Sequence, residues 1–160
     1  MKTISITLLL CLIVSASHSQ ERLYIGGGFG VVSVKKEAGY ILNVYTGYSL
    51  SELNSVGIDG WYGKLKHDDL YSLKVYVETG DSKWGFKPGE YNKVYFSILS
   101  GIGYLRYNYE TENKETISLF LGTNINFNFH VNLLFGIKTG YYFSKYENPL
   151  ISSLFIAYRF

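Results

Sequence analysis

The sequence predicts an all-β chain, folded as an eight-stranded antiparallel up-and-down transmembrane β-barrel. Three observations predict it. Eight successive segments alternate apolar residues with small or polar ones at a period of two, the repeat of a strand with two unlike faces. Beyond Val14 no apolar run approaches the roughly 18 residues of a spanning helix, and no segment sustains a 3.6-residue period. The composition, with Tyr 16, Phe 10 and Gly 17 against Pro 2, is rich in strand formers.

The chain begins "MKTISITLLLCLIVSASHSQ": Lys2, an apolar run from Ile4 to Val14, then small residues with Ser17 and Ser19 placed for cleavage before Gln20. This is the pattern of a secretory signal peptide, so the expected organisation is a signal at 1–19 and one barrel domain at 20–160. A lipoprotein signal on Cys11 is disfavoured, because Leu9 and Leu10 stand where small residues are needed. Cleavage would remove the single Cys and Lys2, leaving 14 basic against 13 acidic residues, a net charge of +1. A disulfide scaffold is excluded, and the charge gives no reason to expect a nucleic-acid partner or a polybasic membrane patch.

The segments follow in order. "RLYIGGGFGVV" sets Leu23, Ile25, Phe29 and Val31 against Tyr24 and glycines, and "GYILNVYTGYSL" sets Tyr40, Leu42, Val44, Tyr48 and Leu50 against Asn43, Tyr45, Gly47 and Ser49. "VGIDGWYGKL" is the weakest, with Val56, Ile58 and Tyr62 opposite Asp59 and Trp61. "LYSLKVYVET" opposes Tyr71, Leu73, Val75 and Val77 to Ser72, Lys74, Tyr76 and Glu78, while "VYFSILSGIGY" opposes Val94, Phe96, Ile98, Ile102 and Tyr104 to Tyr95, Ser97, Gly101 and Gly103. "ISLFLGTNINFNF" is the cleanest, with Ile117, Leu119, Leu121, Thr123, Ile125 and Phe127 on one face and Ser118, Phe120, Gly122, Asn124 and Asn126 on the other. A turn near Phe129 and His130 leads into "VNLLFGIKTGYYF", where Val131, Leu133, Phe135, Ile137 and Tyr141 oppose Asn132, Gly136, Lys138 and Gly140. The end, "ISSLFIAYRF", places Leu154, Ile156, Tyr158 and Phe160 opposite Ser153, Phe155, Ala157 and Arg159. Turn-rich breaks fall at "KKEAG", "SELNS", "KHDD", "TGDSKWGFKPGE", "ETENKE", "NFH" and "KYENP".

An even number of hairpin-linked strands can close on itself. The minor face decides which side is wet. A soluble barrel would carry Lys and Glu outside, whereas here that face holds Gly, Ser, Asn, Tyr and a few charges, the filling of a narrow polar lumen behind a lipid-facing band. Five or six alternate apolar residues imply strands of roughly ten residues, the length that crosses hydrocarbon at a tilt. Tyr40, Tyr48, Tyr62, Tyr71, Tyr104, Tyr141 and Tyr158 lie near the ends of the apolar faces, where interfacial aromatic girdles belong.

The terminal aromatic, with apolar or aromatic residues at alternate positions before it, resembles the C-terminal insertion signal of Gram-negative outer-membrane barrels. By that resemblance Leu154, Ile156, Tyr158 and Phe160 form an assembly signal read by the barrel-assembly machinery, with Ser153 at its polar position. Phe155 departs from it, standing where the signal often has Gly. The whole mature chain resembles the small eight-stranded barrels of the OmpA-transmembrane-domain and OmpX type, with the flavour of Bacteroidota porin-family barrels. The resemblance implies an outer-membrane location, with outer-membrane lipid and the assembly machinery as partners and no cofactor. Against the family habit, "TGDSKWGFKPGE" would be a long turn at the periplasmic end, and the loops at the other end would be short.

Asp59, Lys74, Glu78, Asn124, Lys138 and Arg159 are the candidate lumen polar network. Buried charges need partners, and a register with Asp59 opposite Tyr76 would put Lys74 diagonally within reach of Asp59. Eight strands leave an interior only wide enough for side chains, which favours a structural network over an ion path. His67 and His130 fall at opposite ends and cannot share a metal, and the "GGGFG" at 26–30 precedes no helix, so neither motif suggests catalysis or nucleotide binding. The expected role is structural or surface-interacting. A narrow channel, a lipid A-modifying enzyme and a soluble periplasmic ligand-binding barrel are the alternatives.

Overall fold

In the computed structural model, which describes residues 23–35, 37–51, 53–86, 93–109, 112–130 and 132–160, eight strands follow one another. They are β1 (Leu23–Val34), β2 (Glu37–Ser49), β3 (Asn54–Lys64), β4 (Asp69–Phe86), β5 (Lys93–Asn108), β6 (Asn113–His130), β7 (Leu133–Phe143) and β8 (Leu150–Arg159). Each pairs antiparallel with the one before it, and β1 pairs with β8 from Tyr24↔Arg159 to Ser33↔Leu150, closing the barrel. Closure gives every strand two neighbours, which hydrocarbon demands because it offers backbone groups no other hydrogen-bond partner. The expected signal peptide, with Cys11, Ser17 and Ser19, lies outside the described residues.

Alternation sorts the side chains as predicted. On β6, Ile117 is 71% exposed and its neighbour Ser118 1%, and the apolar exterior extends through Phe29, Val44, Leu73, Ile102 and Leu154. Among the described residues no helix is long and apolar enough to cross a membrane. The tyrosine girdle is uneven. Tyr40, Tyr62, Tyr71, Tyr104 and Tyr141 lie toward the end that carries the turns at 35–36, 65–68, 109–112 and 144–149, called here the loop end. Of the seven, Tyr48 and Tyr158 mark the opposite end, where both chain ends of the barrel lie.

Several boundaries differ from expectation. β4 and β6 run 18 residues each and β5 runs 16, longer than the ten expected. "TGDSKWGFKPGE" is not simply a turn, because β4 continues through Phe86. Its pairing with β3 stops at Asn54↔Thr79, the Gly80 amide donates to the Leu53 carbonyl at 2.8 Å, and after an irregularity between Gly80 and Gly85 pairing with β5 resumes at Gly85↔Tyr95 and Phe86↔Val94. A second strand thus supplies the backbone partners that the local sequence gives no hint of, and the hairpin passes beyond β3 at the terminus end. Val94, assigned to the lipid face, is buried there, in register with Phe86 and Phe127. The turn expected at "NFH" falls at 131–132 instead, after a register irregularity between Asn128 and His130, and Val131 lies outside the described residues. "KKEAG" shrinks to a two-residue turn closed by Val34↔Glu37, in which Lys35 takes the left-handed φ of 53° that such tight hairpins use.

Inside, aromatic rings lie over glycines of neighbouring strands. A Cβ at Gly136 would sit 2.3 Å from Cζ of Phe155 and 2.6 Å from the Ile125 carbonyl oxygen. That gives Phe155 its place: the ring points inward and occupies the space that Gly136 leaves. In the "GGGFG" stretch, a Cβ at Gly26 would meet the Tyr45 hydroxyl at 2.6 Å. Close approach of rings to backbone accounts for these glycines.

Candidate functional site in the barrel lumen

The lumen is built in layers. Toward the terminus end the Glu78 carboxylate is a hub: Oε1 accepts from Asn124 Nδ2 at 3.1 Å, from Asn126 Nδ2 at 3.0 Å and from the Ser97 hydroxyl, while Oε2 accepts from Ser55 Oγ at 3.3 Å. Tyr24 donates to Ser55 Oγ at 3.0 Å and its hydroxyl lies 2.9 Å from that of Tyr76. These side chains stand on the inward parity of five strands, β1, β3, β4, β5 and β6, and together they satisfy a carboxylate that has left bulk water.

Next comes an ion cluster. Asp59 Oδ2 accepts from Lys74 Nζ at 2.9 Å and from Lys138 Nζ at 2.8 Å, with the three side chains no more than 2% exposed. The lysines hold the carboxylate from β4 and β7, so the cluster spans the interior. Lys74 also donates to the Tyr142 hydroxyl at 2.7 Å, which Trp61 Nε1 reaches at 2.6 Å. Lys74 Nζ sits 4.3 Å from the Phe120 ring centroid and Lys138 Nζ 4.5 Å from that of Tyr45. Each ammonium therefore meets a carboxylate and an aromatic face, the contacts that replace lost hydration. The register differs from expectation: Asp59 faces Lys74 directly and Tyr76 faces Gly57, because the turn at 65–68 sets Lys64 opposite Asp69.

Above the ions the filling is apolar, with Val32, Ile41, Leu70, Leu105, Tyr107 and Ile151 buried in one cluster. The sequence reading expected a polar lumen throughout and missed this plug. The signal was present in parity: Ile41 shares the inward parity of Asn43, Leu70 that of Ser72, Leu105 that of Gly103 and Ile151 that of Ser153. Ser55, Ser97, Asn126 and Tyr142, which complete the two polar layers, were likewise passed over as members of the network.

The structure thus joins Asp59, Lys74 and Lys138 in one cluster and Glu78 with Asn124 in another. Arg159 stands in register with Tyr24 and lines a cavity of about 30 Å³ at the terminus end, beside Glu78, Tyr95 and Lys138. His67 lies in the turn at 65–68 and His130 ends β6, at opposite ends of the barrel. Among the described residues no group of three or more His, Cys, Asp or Glu side chains could hold a metal. Leu154, Ile156, Tyr158 and Phe160 all face outward, between 46% and 58% exposed. The Phe160 amide donates to the Leu23 carbonyl at 2.8 Å and its ring packs edge-on to Tyr158 at 5.1 Å.

No protein-family model matches the chain, and no curated protein matches it in sequence. Solved structures do match. Neisserial surface protein A is 13% identical with a TM-score of 0.63, covering 86% of this chain and 97% of that one. The N-terminal β-barrel domain of Pseudomonas aeruginosa OprF is 11% identical with a TM-score of 0.64, covering 88% and 98%. Ail, the attachment invasion locus protein of Yersinia pestis, is 19% identical with a TM-score of 0.52, covering 88% and 99%. The chain has the fold of the small eight-stranded outer-membrane β-barrels.

Proposed function

We propose that the chain is an integral protein of the Gram-negative outer membrane whose role is structural or surface-interacting, with no catalysis and no open pore. The observation that carries this reading is the filled cross-section: Trp61, Asp59, Lys74, Lys138 and Tyr142 are all at most 4% exposed and lie across the lumen between the Glu78 layer and the apolar plug. A conducting path would need that cluster to part, and a lipid A-modifying site would need a catalytic arrangement on the outer wall that the two separated histidines do not support. Planar-bilayer recording on the purified barrel should therefore show no steady conductance. Regular ohmic steps would favour the channel reading.

One structure of Ail holds the heparin analogue sucrose octasulfate, which raises a polyanion reading for the loop end. Its charges argue against that here. Among the described residues Lys35, Lys64, Lys66, Arg106, Lys114 and Lys145 give six positive charges there, and Glu37, Asp68, Asp69, Glu112, Glu115 and Glu147 give six negative ones. The loops offer no net attraction to a polyanion.

The outward row Leu154, Ile156, Tyr158 and Phe160 supports its reading as an assembly signal, since each side chain stands where a partner could touch it. Deleting Phe160 should slow insertion in cells, with unfolded, protease-sensitive chain accumulating in the periplasm, while folding in detergent stays near that of the parent. If Phe160 only packs, the loss is about 1 to 3 kcal/mol and is felt equally in both settings.

A further inference from the structure

A cavity of about 650 Å³ opens at the loop end, above the apolar plug. Its walls are Val34, Leu65, Leu70, Tyr107 and Tyr109. Val34, Leu65, Leu70 and Tyr107 are buried and form the packed floor of the cavity, and Tyr109 is partly exposed beside them. The rings of Tyr107 and Tyr109 stack with centroids 5.9 Å apart and planes 4° apart. The size and lining are those of small-molecule sites, which are mostly apolar with a few placed polar groups.

Among the described residues the charged groups lining it are Lys35, Glu37, Asp68 and Glu147, one positive against three negative, a net of −2 although the described loop end as a whole is neutral. Lys35 bonds Glu147 at 2.5 Å, and Lys114, which sits 5.3 Å from the Tyr109 ring centroid, bonds Glu112 at 2.5 Å, so neither lysine offsets Glu37 and Asp68. Glu147 also ties the rim together. Its Oε1 accepts from Tyr109 at 3.3 Å and its backbone carbonyl from Tyr107 at 2.6 Å, which links the turn at 35–36, the end of β5 and the loop at 144–149. The walls are thus held in place before any ligand arrives, which lowers the ordering cost of binding.

We propose that this mouth cavity binds a small organic cation with an apolar or aromatic body. The apolar walls take the body, and Glu37 and Asp68 take the charge. A neutral analogue keeps only the first contact, and an anion is repelled. The site is separate from the structural role proposed for the lumen, and its failure would leave that role standing.

The test uses the mature chain in lipid nanodiscs, titrated calorimetrically with benzyltrimethylammonium, benzyl alcohol and phenylacetate, with empty nanodiscs to subtract partition into lipid. The cation should bind saturably at one site, and phenylacetate should not. Glu37→Gln with Asp68→Asn should weaken the cation about tenfold and leave benzyl alcohol unchanged. Leu70→Trp should fill the cavity and abolish binding of both, with Val34→Phe as a second filling variant should Leu70→Trp fail to fold. Heat-modifiable gel mobility confirms the barrel in each variant. Absence of saturable cation binding to a folded barrel, equal affinity for phenylacetate, or insensitivity to the charge and filling variants would overturn the site.

Discussion

Asp59→Ala should destabilise the barrel by about 3 to 5 kcal/mol, because it leaves two lysines buried without their counter-charge. The asymmetry of the cluster sharpens this expectation. Lys74→Met or Lys138→Met removes one ammonium but leaves Asp59 bonded to the other, so each should cost about half as much. Removing all three charges with packed apolar side chains should recover much of the loss, since a buried ion cluster is costly to break and cheap to replace whole. Urea titration of the four variants in one detergent or lipid checks the order. Asp59→Ala within 1 kcal/mol of the parent, or no worse than the single lysine variants, would mean the lysines are hydrated and the lumen is wetter than its burial implies.

Leu121→Arg should cost about 2 to 4 kcal/mol or block insertion, as an arginine near the middle of the lipid-facing band must leave water or drag it in. Leu121 is 53% exposed at the centre of the outward row that runs from Ile117 to Phe127. Three residues away Asn124 is 3% exposed and donates to Glu78, so Asn124→Arg acts inside the lumen through crowding and charge and leaves the lipid surface unchanged. Insertion and urea stability in bilayers, measured beside detergent, separate the two: the Leu121→Arg defect should grow with a thicker apolar phase. Equal insertion of Leu121→Arg and parent would reverse the assignment of faces.

The parity of each strand was legible because period two survives any error in strand length. Ile117 and Ser118, or Val75 and Lys74, fall on opposite faces wherever the strand is taken to begin. The lumen charges were legible for the same reason, since an Asp or Lys at inward parity in a narrow barrel must find a partner. Pairing was not. Whether Asp59 faces Lys74 or Tyr76 depends on how many residues the turn at 65–68 consumes, and the sequence "KHDD" admits several turns. The extension of β4 to Phe86 was hidden because Gly80 and Gly85 are turn residues that become strand only where β5 pairs with them. The apolar plug was obscured by composition: Ile41, Leu105 and Ile151 are lipid-type residues on the lumen side, and only the parity they share with Asn43, Gly103 and Ser153 betrays them. The mouth cavity depends on loops meeting in space, at Lys35, Tyr109 and Glu147, which no local pattern encodes.

The most direct test of a membrane barrel with an apolar exterior is cell fractionation with a heat-modifiability gel. The mature protein should remain in the outer-membrane fraction after carbonate washing, dissolve only with detergent, and shift its gel mobility on boiling as a closed barrel unfolds. Recovery in the periplasm, soluble without detergent, would contradict it and turn the exterior residues Val44, Leu73 and Ile117 into a surface that some other partner must cover.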